Sequence, residues 1–149
     1  MNKNVYEGTV LEEWIDYNNH MNVCYYYSAF HQSAEGYLKT LFSDSSLSIV
    51  VAAASIKYIS EVLLGNDFYI SNFILGYKNS KIHLYQEFMV GEKKACEYEQ
   101  LCILKLSELK KNEIDDSEID RAEDIAVQNR SKFQGIKNFE LTNLHSKKT

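Results

Sequence analysis

The sequence predicts an α+β domain in which an antiparallel sheet curls over one long, largely apolar helix. Three observations predict it. Apolar residues recur every three or four positions from Met21 to Phe42, the periodicity of a helix face. Four strand-like segments joined by short turns follow. The 11 tyrosines and 7 phenylalanines, against 6 glycines and no proline, are side chains suited to the faces of strands.

Taken in order, "NVYEGTVLEEW" carries Val5, Val10 and Leu11 between polar positions and predicts a short first strand. The helix follows, with Val23, Tyr26, Tyr27, Phe30, Ala34, Tyr37, Leu38 and Leu41 as its apolar stripe. Glu35 and Lys39 lie four apart in the favourable order for its solvent side. Asn18, Asn19 and Asn22 are candidate caps, since their short side chains accept from the unpaired amides of a first turn. The strands are "SIVVAAASIKYISEV", "DFYISNFILGY", "KIHLYQEFMV" and "ACEYEQLCILKL", separated by "LGND", "KNS" and "GEKK". Turns this short make neighbouring strands antiparallel. In the third of these strands Ile82, Leu84, Phe88 and Val90 share a buried face, while His83, Tyr85, Glu87 and Met89 share a mixed one. Beyond Ser107 the chain turns charged, with a thinner helical stripe from about Ser117 to Phe133 and a final "LHSKKT" expected to fray.

A chain of 149 residues is large enough to bury one core without disulfides, so residues 1–149 are expected to form a single domain, its core over about 5–106 and a charged helical tail over about 107–149. The net charge of −5 argues against nucleic acid as a partner, because phosphate binders present a positive field. No segment approaches the roughly 20 apolar residues of a membrane span, and "MNKNVYEGTV" lacks the apolar core of a signal peptide. No membrane association and a cytoplasmic location are expected. Cys24, Cys96 and Cys102 are odd in number and form no CxxC pair, which argues for packing and against a disulfide framework or zinc knuckle. His83 and Glu87, four apart on a strand, make a poor metal pair, and neither a GxSxG elbow nor a phosphate-binding glycine loop is present. No metal and no cofactor are expected.

The segment "DYNNHMN", residues 16–22, delivers polar groups to the start of the long helix. A helix start offers unpaired N–H groups and partial positive charge, which can polarise a carbonyl or hold an oxyanion. Asp16 on the entering loop is placed to act as general base on water or as nucleophile, with His20 and Asn22 orienting acid, water or substrate. The alternative is that Asp16 and the asparagines are turn and cap residues and His20 a loop histidine.

"WIDYNNHMNVCYY" resembles the signature of the hotdog-fold acyl-CoA thioesterases of the 4-hydroxybenzoyl-CoA thioesterase type. It is most similar to the betainyl-CoA thioesterases of carnitine breakdown, through Trp14, Asp16, Tyr17, Asn18, His20, Met21, Asn22 and Tyr26. A fainter resemblance runs through "ASIKYISEVLLGNDFYI", with Tyr58 and Glu61, and "KIHLYQEF", so that it covers about residues 5–106. Two departures stand out: Asn19 replaces the family's glycine before the histidine, and no basic, proline-containing segment follows Leu106.

The resemblance implies a hotdog fold, assembled as a homodimer or homotetramer with sites at the subunit interface, that hydrolyses an acyl-CoA without metal or cofactor. Asp16 would be base or nucleophile, His20 and Asn22 its catalytic support, and a helix-start amide the holder of the thioester oxygen. Asn19, Tyr26, Tyr58 and Glu61 would contact substrate. Lys78, Lys81, Lys93 and Lys94 are candidates for the CoA phosphates, with a solvated face as the alternative, and Trp14, Tyr25, Tyr26 and Tyr27 for a cage around a quaternary ammonium, with helix packing as the alternative. A non-catalytic member of the fold that only binds acyl-CoA or an acyl chain is the alternative, motivated by Asn19.

Overall fold

The structure, a computed structural model, describes residues 5–108 and 116–133. Strand β1 (Val5–Thr9) leads through a 3-10 turn (Glu12–Trp14) and a loop into helix α1 (Val23–Leu41). Then come β2 (Ser48–Tyr58), β3 (Asp67–Lys78), β4 (Lys81–Val90) and β5 (Lys93–Lys105), and finally helix α2 (Asp116–Lys132). The sheet order is β1-β3-β4-β5-β2, every pair antiparallel. This is the hotdog fold, with the sheet wrapped around α1. The final residues 144–149, expected to fray, lie outside the described residues.

Local chemistry accounts for the strand boundaries. Asn79 and Ser80 both take positive φ, 51° and 65°, as a two-residue hairpin turn requires for its twist to match the strands. Gly91, at φ 62°, opens the next hairpin. Register shifts between Ile74 and Gly76 and between Val51 and Ala53 bend the sheet around the helix. At Gly8 the wrap is closest: an added Cβ would lie 2.8 Å from the Phe68 ring.

Helix α1 buries Tyr26, Ala29, Phe30, Ser33, Ala34, Leu38 and Leu41 against the concave face of the sheet. Around its first half the aromatic core stacks Phe68 on Phe88 with centroids 4.5 Å apart and Phe30 on Tyr98 at 5.0 Å. Around its second half Leu38, Leu41 and Phe42 meet Leu47, Ile82 and Leu84. Burying each such side chain stabilises by about 1.5–3 kcal/mol, so this interior dominates the fold. Val23 and Tyr27, expected on the buried stripe, are instead 58% and 46% exposed. They lie four residues apart on one side of the first two turns of the helix.

The convex face of β4 is buried more fully than its mixed composition predicts. Helix α2 explains part of this. Strand β1 pairs only with Asp67–Ser71, leaving the rest of the β3 edge without a strand neighbour. There α2 packs, with Asn129 Nδ2 donating to the Ile74 carbonyl at 2.9 Å and Arg130 to the Leu75 carbonyl at 2.7 Å. Side chains thus satisfy backbone groups that an open edge would leave unpaired. Just beyond, the Phe133 ring lies 4.6 Å from Phe73 and 5.1 Å from Tyr85. His83 is buried against Glu99 at 2.5 Å.

Candidate active site

The chain from Ile15 to Met21 is a closed loop at the entrance to α1. Ile15 and Met21 form an isolated bridge, and the Asn22 amide donates to the Trp14 carbonyl at 2.8 Å. Inside it, the Asp16 amide donates to the His20 carbonyl at 2.9 Å, and the Asn19 amide to the Asp16 carbonyl at 3.0 Å. Asn19 has φ 65°, the left-handed conformation that asparagine tolerates best after glycine, so the departure from the family pattern leaves the turn intact. Asp16 Oδ1 accepts from the amides of Asn18 at 2.9 Å and His20 at 3.3 Å. Its other oxygen has no hydrogen-bond partner among the described residues. A half-buried carboxylate is thereby fixed in direction while keeping one oxygen open to chemistry.

Met21 anchors the loop: it is buried, and its amide donates to the Val62 carbonyl at 3.1 Å. Asn22 is the N-cap, its Oδ1 accepting from the Cys24 amide at 3.0 Å. Asn18 and Asn19, read from sequence as further candidate caps, belong to the loop instead. The same Val62 contact brings the β2–β3 connection alongside, where Glu61 Oε1 lies 3.3 Å from His20 Nε2. Both side chains are well exposed, so this pair orients more than it stabilises. Tyr58, at the end of β2 and 49% exposed, meets the buried Tyr26 ring edge-on at 5.4 Å. Burial, then the neighbouring Cys96 and Tyr58, push the Tyr26 phenol up, and burial, then Cys96 and Cys24, do the same at Tyr58, so both stay neutral donors near neutrality.

Asp16, His20, Asn22, Tyr26, Tyr58 and Glu61 are therefore drawn together by three connected features: the loop, the helix start and the end of β2. Cys24, exposed on the first turn of α1, joins them, although its composition marked it only as packing.

Other expectations are corrected. Trp14 stacks on Tyr25 at 5.7 Å, Tyr26 turns inward to Phe88 and Tyr27 leans on Tyr98. Successive helix residues diverge by about 100°, so these rings do not converge on one cation. Lys78 and Lys81 flank the β3–β4 turn, at the far end of β4 from the position level with the β2 terminus, which is roughly 23 Å away along the strand. Lys94 is committed on the convex face, 2.8 Å from Glu97 and 3.3 Å from Glu87. Among the described residues no three His, Cys, Asp or Glu side chains gather as metal ligands.

Behind the first turns of α1 runs a buried ladder of amides. Gln86 Nε2 donates to the Phe30 carbonyl at 2.9 Å and to Asn72 Oδ1 at 2.8 Å, and Ser33 Oγ lies 3.1 Å from the same Asn72 oxygen. Gln100 Nε2 donates to Gln86 Oε1 at 2.7 Å. Gln100 Oε1 and the Tyr98 hydroxyl are buried with no hydrogen-bond partner among the described residues. Burial, then the Tyr27 side chain beside it, push the Tyr98 phenol up, and the Tyr27 ring approaches edge-on at 5.7 Å. A signal for this ladder existed: Gln86 and Gln100 interrupt otherwise apolar alternate positions, between Leu84 and Phe88 and between Tyr98 and Cys102.

The sequence pattern of the Thioesterase-like superfamily matches residues 10–122. A thioesterase candidate of Pseudomonas putida KT2440 has a similar structure, with a TM-score of 0.74 at 21% identity, over 93% of this chain and 96% of that one. A Staphylococcus aureus protein solved in complex with CoA is similar at a TM-score of 0.58 and 24% identity, over 66% and 76% of the two chains. A gentisyl-coenzyme A thioesterase gives 0.62 and 15%, over 69% and 89%. No protein of curated function matches the chain.

Proposed function

Because the chain belongs to the Thioesterase-like superfamily, we propose that it is an acyl-CoA thioesterase whose reacting carboxylate is Asp16. The observation that carries this reading is the Asp16 carboxylate, held by two loop amides at the start of α1. Thioester chemistry suits such a site. The carbonyl carbon is electrophilic and the thiolate leaves readily, so a carboxylate, a water and one or two fixed donors suffice.

In the reaction, a water oxygen adds to the thioester carbon as Asp16 takes its proton, or Asp16 itself adds and water cleaves the resulting anhydride. A helix-start amide receives the developing oxyanion. The C–S bond breaks as this adduct collapses, before water meets any anhydride, and CoA leaves as the thiol with the proton Asp16 took from water or, in the anhydride route, one from solvent. Asn22 serves as a positioning residue, since its side chain holds the first turn of the helix. His20, oriented by Glu61, and the neutral hydroxyls of Tyr26 and Tyr58 face substrate in this reading, and the left-handed Asn19 keeps the loop in shape.

The reading extends to a cytoplasmic single hotdog domain that works as a homodimer or homotetramer, with α2 as part of it. Its support is the exposed apolar surface beside the site, Val23, Tyr27 and Tyr58, and the solvent-facing edge of β2 with Val50 at 47% exposure. The four aromatic rings lend no support to the narrower betainyl-CoA assignment. A non-catalytic binder is disfavoured because the turn survives Asn19. The test is thiol release from a panel of acyl-CoAs by the parent, Asp16→Asn and Asp16→Ala, with sedimentation to read assembly. Equal rates in all three proteins would remove Asp16 from the mechanism.

A further inference from the structure

We propose that Gln100 and Tyr98 form the far wall of the acyl site and select acyl groups carrying an uncharged hydrogen-bond donor, a hydroxyl, at the end remote from the thioester. The proposal rests on the thioesterase reading above and names the substrate class of that same site.

The orientation of the wall follows from one backbone atom. The Phe30 carbonyl can only accept, so Gln86 must turn its Nε2 toward it, as observed at 2.9 Å. Gln86 Oε1 then faces Gln100, which must present its own Nε2, again as observed at 2.7 Å. What remains at the end of the ladder is Gln100 Oε1, an acceptor with no freedom to become a donor. The Tyr98 hydroxyl lies two residues away on the same face of β5 and can accept or donate. Gln100 Oε1 is buried with no partner among the described residues and the Tyr98 hydroxyl has only the Tyr27 side chain beside it, and a protein does not leave such groups unmet without cost. The ladder is neutral along its length, so a carboxylate tail finds no counter-charge and an alkyl tail leaves the acceptor dry.

The position fits an acyl tail. Across the β2–β5 pairing Tyr58 stands opposite Cys96, Ile56 opposite Tyr98 and Ala54 opposite Gln100. Moving up this pairing from Tyr58, beside the candidate active loop, the concave face passes Tyr98 and reaches Gln100 about 13 Å away at the rise of a strand. The small Ala54 leaves room on the β2 side. Tyr27, 46% exposed and leaning on Tyr98, is the ring that must swing aside to admit a chain.

The test compares thioether analogues of decanoyl-CoA and ω-hydroxydecanoyl-CoA by calorimetry, with hydrolysis of the corresponding thioesters measured alongside. The parent is expected to bind the hydroxylated analogue about tenfold more tightly, the worth of one net hydrogen bond. The ratio is expected to fall to about one in Tyr98→Phe with Gln100→Met. Tyr98→Phe alone removes a hydroxyl with no well-formed hydrogen bond among the described residues, so it is expected to keep a melting temperature close to the parent while reducing the ratio, which guards against a variant that fails to fold. Equal binding of the two analogues by the parent, as when the buried atoms merely hold water, overturns the proposal, as does a preference that survives both substitutions or binding of neither analogue. Hydrolysis without discrimination overturns the proposal and leaves the thioesterase reading standing. Discrimination in binding without hydrolysis does the reverse.

Discussion

The backbone amide of Asn19, at φ 65°, donates to the carbonyl of Asp16 at 3.0 Å, so a single left-handed residue closes the loop that carries the carboxylate. Asn19→Gly is expected to leave folding and turnover near the parent values. Asn19→Val forces a β-branched side chain into that conformation and is expected to cost about 1–2 kcal/mol and most of the activity. Thermal melts with acyl-CoA hydrolysis check both, and a fully active Asn19→Val would show that the loop geometry is irrelevant to the reaction.

Asp16→Asn keeps an oxygen able to accept from the amides of Asn18 and His20, so the loop is expected to survive with a melting temperature close to the parent. The rate is expected to fall about 10²-fold or more, the usual worth of a positioned acid or base. Asp16→Ala loses both. Parallel melts and kcat/KM values separate the chemical loss from the structural one.

Asn22→Ala removes the acceptor for the Cys24 amide and is expected to cost about 1 kcal/mol. Turnover is expected to fall with it, because the helix start would no longer be held where the thioester oxygen binds. Asn22→Asp and Asn22→Ser cap as well as asparagine, and their rescue of both properties would identify capping as the role. Failure of both to rescue would point to a direct contact with substrate.

Arg130→Ala withdraws a charged donor from the Leu75 carbonyl and reopens the β3 edge beyond β1. The loss is expected to be about 1.5–3 kcal/mol by denaturant unfolding. Asn129→Ala at the Ile74 carbonyl is expected to cost about 1 kcal/mol. Two parent-like unfolding curves would show that α2 does not support the sheet.

Burial pushes the Glu97 carboxyl up, but hydrogen bonds from Lys94 and Tyr85, with the charges of Lys94 and Lys57, hold it below its ordinary 4.5. A carboxyl lowered on folding takes up protons more readily when unfolded. Its contribution is therefore complete above about that pH and is lost as the pH falls through the lower folded value. Lys94→Met is expected to be less stable than the parent by about 1 kcal/mol near neutrality, and the gap is expected to narrow below pH 4.5. A gap that holds constant down the acid range would argue that Lys94 acts by packing alone.

Much of this architecture is written in short stretches of sequence. The stripe from Tyr26 to Leu41 determines α1, since its period is a property of neighbouring residues. The strand ends follow from turn chemistry such as Asn79-Ser80 and Gly91, and the cap at Asn22 and the polar loop from Asp16 to His20 are equally local. The tertiary structure decided what distant segments do to one another. It set Glu61 against His20, closed the β3 edge with Asn129 and Arg130, and buried His83 and Tyr85 on a face whose composition reads as mixed. It also exposed Val23 and Tyr27 and aligned Gln86 with Gln100 so that one amide oxygen is left facing inward. Backbone period and turn preference act over a few residues, whereas these relationships depend on strand register and on which surface another element covers, and neither is encoded in any one segment.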